Sequence, residues 1–267
     1  MNSIKILVFL FLVSGTAFAQ NDSPYKTSLK VDGPVIAAGI GLNVLGFTMI
    51  RNKDELTLAE VAALSKSDIN SIDRFSAGYH SESADRISYY PFYASFALPV
   101  AMLLNKNEGR KAGQVMALYI ETMAITGGLF TLAAGGIERS RPLVYNTSVP
   151  INERTDNDAQ RSFYAGHTAA TASAMFFAAK VYSDFNPDSR AKPYVWAAAA
   201  VVPAVVGYYR LKAGKHFLTD NLLGYALGAS AGILVPHLHK KTTNSSLSIN
   251  PVIAPGYRGT QISYTFK

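Results

Sequence analysis

Residues 193–237 read PYVWAAAAVVPAVVGYYRLKAGKHFLTDNLLGYALGASAGILVPH, two apolar runs joined by a short cationic turn. The runs Pro193–Arg210 and Asn221–His237 are rich in Ala, Leu, Val and Gly and are longer than typical strands. Apolar runs of this length indicate helices. The stretch therefore predicts two helices that meet at a turn containing His216.

Four earlier stretches have the same character: Pro34–Ile50, Ile87–Asn105, Ala112–Gly135 and Gly166–Tyr182. With the pair above they predict an all-α protein built on a six-helix bundle. Residues 51–86 alternate charged and apolar side chains, which predicts an amphipathic helix followed by a polar loop. Residues 143–161 are predicted to form a second polar loop.

The chain changes period after Lys241. Apolar residues now alternate with polar ones, first around Leu247 and Ile249 and again near the end of the chain, with the turn signal Pro255-Gly256 between them. Alternation on both sides of a turn signal predicts a short C-terminal β-hairpin.

The N-terminus has a charged start, a short apolar run and the small-residue sequence Ala17-Phe18-Ala19. This order is typical of a secretory signal peptide over residues 1–19, with an uncleaved anchor helix as the alternative. We expect four regions: the signal peptide 1–19, an N-terminal helix and amphipathic polar segment 20–86, a bundle that carries the chemistry 87–241, and a hairpin tail 242–267.

Two arguments about membrane orientation disagree. A cleaved signal places Gln20 outside, so a first span at Pro34–Ile50 would put the polar loop after Gly135 inside. Basic residues follow the second and sixth stretches, and by the positive-inside rule they place those loops in the cytoplasm and the polar loop after Gly135 outside. These residues are Lys106, Arg110, Lys111, Lys240 and Lys241. The disagreement is resolved if Pro34–Ile50 does not fully cross the membrane. Alternatively, the protein is a soluble periplasmic bundle, which its mean hydropathy of +0.12 permits.

The composition limits the available chemistry. The 267 residues include no cysteine, which excludes a disulfide framework, a thiol nucleophile and a cysteine metal site. A net charge of +7 suits anionic substrates or anionic membrane surfaces. No metal-ligand spacing is evident, and we expect no metal. We also expect no other cofactor and no nucleic-acid partner.

Three short segments gather polar residues at the ends of apolar stretches: Glu138–Pro142, Ser162–Thr168 and Arg210–Asp220. A helical bundle can bring such ends together on one face. The guanidinium groups of Arg141 and Arg210 are permanently charged forks that match phosphate oxygens. The sequence thus predicts an anion-binding face that also holds histidines.

Two histidines in these segments can take part in catalysis. His216 and Asp220 are four residues apart, so on a helix the carboxylate can accept one imidazole N–H and leave the other nitrogen free as a nucleophile. His167 comes directly before an apolar helical run, where free N–H groups favour a bound anion. It is positioned to protonate a leaving oxygen as a general acid.

The order and separation of these residues resemble the type-2 phosphatidic acid phosphatase superfamily. That group includes bacterial nonspecific acid phosphatases, lipid phosphatases and vanadium haloperoxidases, with the pattern Lys-x6-Arg-Pro, Pro-Ser-Gly-His and Ser-Arg-x5-His-x3-Asp. The matches, within residues 87–237, are Arg141-Pro142, Gly166-His167 and Arg210-x5-His216-x3-Asp220.

The resemblance implies a six-helix bundle and a role for each matching residue. It implies a phosphohistidine on His216 with Asp220 as its orienting partner and His167 as the general acid. Arg141 and Arg210 would hold the phosphate. No metal is needed for this route.

The chain also departs from the family pattern. The family lysine falls on Ala134, and the Pro-Ser pair falls on Tyr164-Ala165. The serine before the last arginine falls on Tyr209. Two side chains that would bind phosphate, the lysine and the serine of the second motif, are therefore missing. The backbone N–H groups of Ala165 and Gly166 are expected to remain available to phosphate.

Arg139 is the expected replacement for the missing lysine, with Lys212 and Lys215 as further candidates. Pro142 biases Arg141 away from helical geometry, and in an extended run Arg139 and Arg141 point to similar sides. Arg139 would then bind phosphate. The alternative is a surface pair between Arg139 and one of the acidic residues Glu138, Asp156 and Asp158.

These observations favour a metal-independent phosphatase that acts outside the cytoplasm, on phosphomonoesters or pyrophosphates and most naturally on lipid phosphates. Candidate substrates from the resemblance are prenyl pyrophosphates, phosphatidylglycerol phosphate and lipid A phosphates. The alternatives are a non-catalytic envelope protein that retains a phosphate site and a vanadate-dependent haloperoxidase. The remaining histidines, His80, His237 and His239, belong to no motif.

Overall fold

A computed structural model describes residues 23–241, 247–254 and 257–264, so the predicted signal peptide lies outside the described residues. The α-helices of the described part, in chain order, are α1 (Leu29–Arg51), α2 (Leu58–Ala63), α3 (Glu82–Ala101), α4 (Lys106–Gly109), α5 (Ala112–Gly136), α6 (Ile151–Thr155), α7 (Gly166–Phe185), α8 (Lys192–Lys212) and α9 (Leu218–Leu238). The long ones, α1, α3, α5, α7, α8 and α9, form the bundle. The prediction of an all-α six-helix bundle is confirmed.

The predicted C-terminal hairpin is present as two antiparallel strands. Strand β1 covers Leu247–Ala254 and strand β2 covers Tyr257–Tyr264, with Leu247 opposite Tyr264. The turn signal at residues 255–256 lies outside the described residues.

Helix α7 is the centre of the bundle and contacts α3, α5, α8 and α9. Small buried residues let α9 approach it closely: a Cβ atom at Gly224, Gly228 or Gly232 would lie 2.0–2.5 Å from a backbone carbonyl oxygen of Ala165, Ala169 or Ser173. Small residues at helix contacts allow this packing. The two helices run parallel, so both begin at the same end of the bundle.

Helix α1 lies along α5 in the same way. A Cβ atom at Gly46 would lie 2.4 Å from Oγ1 of Thr131, and one at Gly39 would lie 2.9 Å from Cβ of Ala124. The contact is parallel, so α1 and α5 both end where α7 and α9 begin. This end of the bundle carries the three polar segments.

The amphipathic helix predicted within residues 51–86 is confined to the short helix α2, and 3-10 turns and loop follow it before α3 begins at Glu82. Thr57 and Glu60 form a capping box that starts α2, and Leu64 takes an extended conformation that ends it. The physical reason is tertiary packing: Val61 is buried against Leu143 and its neighbours, which fixes the segment as a cover over the loop after α5. Packing of this kind overrides local periodicity.

The opposite end of the bundle joins the two ends of the described helical region. The Lys26 N–H donates to the carbonyl of His239 over 2.8 Å, and the Lys241 N–H donates to the carbonyl of Pro24 over 2.8 Å. Residues 23–28 and 239–241 therefore lie together, about 30 Å from the start of α9 by helix length.

Five segments are long and apolar enough to cross a membrane: Leu29–Arg51, Glu82–Leu104, Ala112–Gly136, Lys192–Lys212 and Leu218–Leu238. Their outer faces expose large apolar side chains, among them Phe47, Tyr93, Val201 and Leu222. Together these features support membrane association. Helix α1 has 23 residues, and its apolar 18-residue window has a mean hydropathy of 1.7. Its length and composition therefore do not support the expectation that Pro34–Ile50 stops short of crossing.

Candidate active site

The three polar segments meet at one end of the bundle. After α5 the chain is extended, as expected before Pro142, and it pairs with the segment preceding α7. The Arg139 N–H donates to the Gln160 carbonyl over 3.0 Å, and the Arg141 N–H donates to the Ala159 carbonyl over 2.8 Å. This pairing fixes the first segment against the second.

His216 lies in the turn between α8 and α9 and is 2% exposed. The turn needs Gly214, which has φ = +73° and whose Cβ position would be 1.8 Å from the carbonyl oxygen of Tyr79. The imidazole Nδ1 of His216 donates to the backbone carbonyl of Ser162 over 2.7 Å. That bond leaves the lone pair on Nε2, the nitrogen available for nucleophilic attack.

Asp220 does not accept the His216 N–H, and this part of the prediction is wrong. Helix α9 begins at Leu218, so His216 precedes it and the two side chains do not share a helix face. Asp220 instead accepts from the Phe217 N–H over 2.9 Å and from the Ser162 hydroxyl over 2.6 Å. Ser162 therefore links the two: its carbonyl holds His216, and its hydroxyl is held by Asp220.

Arginines surround this histidine and pair with acidic residues. Arg141 and Arg161 both contact the carboxylate of Asp158, and Arg210 contacts Asp85. The Nε atoms of Arg141, Arg161 and Arg210 are buried and have no hydrogen-bond partner within the described part of the chain. Buried unpartnered donors are costly, so this cluster has capacity for a further anion.

The charges at the site perturb each other. Burial lowers the pKa of Arg141 to about 10, although Asp158 opposes the shift. Burial, followed by the charges of Arg141 and Arg210, holds the pKa of His216 well below its usual range. Burial and then Arg141 also lower the pKa of Lys215. His216 is therefore neutral at neutral pH, as a nucleophile must be.

His167 is the second residue of α7 and packs against Phe92 and Tyr89, with ring centroids 4.4 and 5.2 Å away. Burial, followed by the charges of Arg210 and Arg141, lowers the pKa of His167 to about 3. The imidazole of His167 is thus neutral at neutral pH. A bound phosphate would counter the arginine charges and raise this pKa.

At the start of α7, one of the two backbone N–H groups that were expected to be available to phosphate is already bonded within the protein. A Cβ atom at Gly166 would lie 2.5 Å from the Phe130 ring, so a side chain larger than hydrogen does not fit there. The Ala165 N–H, expected to be available to phosphate, donates to the Asp220 carbonyl over 3.1 Å.

Arg139 and Arg141 pair with different carboxylates. Arg139 was expected to bind phosphate, but its guanidinium group is turned toward buried acidic residues. One terminal nitrogen contacts Asp220, and the other donates to Asp73 over 2.7 Å. Its guanidinium carbon lies 4.7 Å from the Phe217 ring centroid. Arg139 neutralises two fully buried carboxylates, which is neither the phosphate contact nor the surface pair considered above.

The cations that do lie with Arg141 and Arg210 are Arg161 and Lys215. Lys215 places its ammonium 3.9 Å from Asp158. Lys212 points elsewhere, with its ammonium 5.0 Å from the Tyr79 ring centroid. Sequence reasoning did not select Arg161 or Ser162 as candidate functional residues. Ser162 begins the second polar segment and Arg161 directly precedes it, and a basic residue beside a motif is a usable signal.

A cavity of about 420 Å³ lies beside the cationic cluster, between the start of α3 and the end of α8. Its lining combines apolar and polar groups, among them Ala84, Ile87, Tyr208 and Lys212. Arg210 and Asp85 belong to the same helix ends, so the cavity adjoins the arginine cluster.

A helical bundle that places a buried neutral imidazole among arginines can bind an anion next to a nucleophile. A family model described as the PAP2 superfamily matches residues 116–244, which include both histidines and the arginines of this site. Over these residues the chain is similar to the PAP2 superfamily, and this similarity supports a phosphatase.

The comparison with solved structures matches the "first transmembrane PAP2 type phosphatidylglycerolphosphate phosphatase from Bacillus subtilis". It is 21% identical, with a TM-score of 0.49, over 75% of this chain and 94% of that chain. The comparison with curated proteins gives no match.

The carboxylate of Asp158 pairs with the guanidinium groups of Arg141 and Arg161, to which a phosphate in this site would also bind. We expect Asp158→Asn to strengthen inhibition by inorganic phosphate by roughly tenfold, about 1.4 kcal/mol, because one competing anion is removed. The inhibition constant would be compared with that of Asp188→Asn, which removes the same charge from an exposed position at the other end of the bundle. Unchanged or weaker inhibition in Asp158→Asn would show that Asp158 positions the arginines instead of competing with phosphate.

Proposed function

We propose that the protein is a metal-independent phosphatase that hydrolyses phosphomonoesters or pyrophosphates, with lipid phosphates as its substrates, through a phosphohistidine on His216. The observation that carries the proposal is the environment of His216. Its Nδ1 is bound by the Ser162 carbonyl, so a neutral Nε2 is available among arginines with unpartnered donors.

In the first step the Nε2 lone pair attacks phosphorus as the ester bond breaks. Arg141, Arg210 and Arg161 stabilise the charge on the phosphoryl oxygens. The leaving oxygen takes its proton from His167, and the product is a phosphohistidine and a free alcohol or phosphate. Asp220 acts through Ser162 as a positioning residue for His216.

In the second step the now neutral His167 removes a proton from water. The hydroxide attacks phosphorus, the P–N bond breaks, and its electron pair returns to Nε2 of His216. Inorganic phosphate leaves, His167 is protonated again, and the enzyme is restored.

The surroundings of the site favour a lipid substrate. The cavity beside the arginine cluster is lined by Ile87 and Tyr208 together with Lys212, so it offers an apolar wall and a cation. The bundle exposes large apolar side chains along its candidate spans. An anionic head at the arginines and an apolar tail along α3 and α8 would fit this arrangement.

The proposed orientation places the site outside the cytoplasm. The basic groups that predicted cytoplasmic loops, among them Lys106 and Lys240, lie at the end of the bundle away from the site. By the positive-inside rule this basic end faces the cytoplasm. Residues 23–28 lie at the same end, so this orientation requires that the N-terminal segment does not carry Gln20 outside. The site then faces the exterior or periplasm if the candidate spans cross.

The proposal predicts that activity on poor leaving groups rises as the pH falls. The lowered pKa of His167 means that its protonated form is scarce at neutral pH and increases about tenfold per pH unit toward acid. His216 stays neutral over the same range because its pKa is also lowered. We therefore expect kcat/KM for an alkyl phosphate to rise from pH 8 to pH 5 more steeply than kcat/KM for p-nitrophenyl phosphate.

The measured quantity is the ratio of kcat/KM for the two substrates, after each value has been corrected for the ionisation of that substrate's own phosphate group. In His167→Ala this ratio should no longer depend on pH. EDTA added together with substrate should leave the initial rates unchanged, and a fall in rate would contradict a metal-independent mechanism. If phosphate binds but no substrate is turned over at any pH, the protein is a non-catalytic phosphate-binding protein.

A further inference from the structure

A second polar cluster lies at the end of the bundle away from the candidate active site. It consists of Asp32 in the first turn of α1, Glu121 in α5 and His239 directly after α9. One ligand atom from each residue lies within 4.8 Å of the others. The three residues come from distant parts of the chain, so no local motif marks them.

The imidazole of His239 is fixed by a backbone bond. Its Nδ1 donates to the Val235 carbonyl over 2.8 Å, which leaves Nε2 facing the cluster. Nε2 lies 3.2 Å from Oδ1 of Asp32 and 3.6 Å from Oε2 of Glu121. Three atoms with lone pairs that face each other at these distances repel unless a cation lies with them.

Each carboxylate presents one free oxygen to the cluster. Oδ2 of Asp32 accepts the Ser28 N–H over 2.7 Å, so Oδ1 is the oxygen that remains. Glu121 is only 5% exposed, and its Oε2 accepts no hydrogen bond from the described residues. An unsatisfied carboxylate oxygen on a buried face of a candidate membrane span is costly and indicates a functional role.

We propose that Asp32, Glu121 and His239 bind a divalent transition-metal ion, with Zn²⁺ as the preferred ion. Tetrahedral ligands at about 2.0–2.1 Å from zinc are about 3.3–3.4 Å apart, which is close to the distances from Nε2 to the two carboxylates. One nitrogen and two carboxylate oxygens leave a fourth position for water. An imidazole ligand favours zinc over Mg²⁺ or Ca²⁺.

The surroundings match those of a metal site. The Val235 carbonyl and the Ser28 N–H orient two of the ligands, as hydrogen bonds behind metal ligands commonly do. The His239 side chain is 14% exposed, so an ion can reach the cluster from outside. The ion would join α1, α5 and the end of α9, and its role would be to hold α1 on the bundle.

The test uses the full chain, purified without a histidine tag and stripped with a chelator. Zn²⁺ is then added, and bound metal and the thermal unfolding midpoint are measured. We expect about one zinc ion per chain and a midpoint raised by several degrees, with Mg²⁺ giving neither effect. The variants are Glu121→Gln, which nearly keeps the side-chain shape, and His239→Ala. The control is His237→Ala, an exposed histidine two residues earlier.

Both variants should lose the bound zinc and the shift in midpoint, whereas the control should keep them. If His239→Ala does not fold, Glu121→Gln decides the matter. The proposal is overturned if the wild-type chain binds no zinc, which would leave a proton on His239 as the cation. It is also overturned if Glu121→Gln binds zinc as tightly as the wild type.

Discussion

Replacement of His216 by alanine is expected to lower kcat/KM by about 10⁴-fold or more, as removal of a covalent nucleophile commonly does. The reason is that Nε2 of His216 has a lone pair placed by the Ser162 carbonyl, and nothing in an alanine replaces it. Fold and phosphate binding should persist, because the arginines pair with Asp158 and Asp85 independently of the imidazole. The measurement is steady-state hydrolysis of p-nitrophenyl phosphate with folding checked by circular dichroism.

Trapping the intermediate tests the same assignment directly. Rapid quenching of the wild type with labelled substrate should yield a phosphoenzyme that is labile to acid, stable to base and mapped to His216. In His167→Ala the phosphoenzyme should still form from p-nitrophenyl phosphate, because this leaving oxygen needs little protonation. His237→Ala serves as a control for loss of a histidine. A phosphoenzyme on any other residue would contradict the mechanism.

Replacement of Arg139 by alanine is expected to reduce the free energy of unfolding by about 3–5 kcal/mol, the usual effect of removing one partner of a buried ion pair. The side chain neutralises Asp73 and Asp220, both of which have no exposed side-chain surface. Asp73 also caps α9, since its Oδ1 accepts the Thr219 N–H over 2.9 Å. The loss should appear as a lower unfolding midpoint in detergent.

A second variant separates this role from direct binding of phosphate. Asp73→Asn combined with Arg139→Ala removes one of the uncompensated charges and should recover part of the lost stability. If Arg139 binds phosphate instead, Arg139→Ala should keep its stability and lose roughly 2–4 kcal/mol of transition-state stabilisation in kcat/KM. The free energy of unfolding falls in the first case, whereas kcat/KM falls in the second.

The bundle and the position of the site were predictable because helix length and motif position are local properties. His216, His167, Arg141 and Arg210 each lie at the end of an apolar stretch, and antiparallel succession of helices brings such ends together. The hairpin was predictable for the same reason, since its alternation is visible within the tail.

The connections within the site were not predictable in this way. The link between His216 and Asp220 through Ser162 depends on where α9 begins, and that is set by the left-handed turn at Gly214. Arg139 pairs with Asp73, which lies 66 residues earlier in a segment whose fold is decided by packing. A contact that depends on tertiary packing leaves no periodic signal in the chain.

The hydrogen bonds that join Lys26 to His239 and Pro24 to Lys241 have a consequence for the order of folding. Helices α1 and α5 can associate as soon as both have left the ribosome. The segment before α1, however, finds its backbone partners only after α9 has been synthesised, some 200 residues later. These contacts therefore form only after α9 has been made, and a chain truncated before residue 239 would lack the backbone hydrogen bonds that hold the segment before α1.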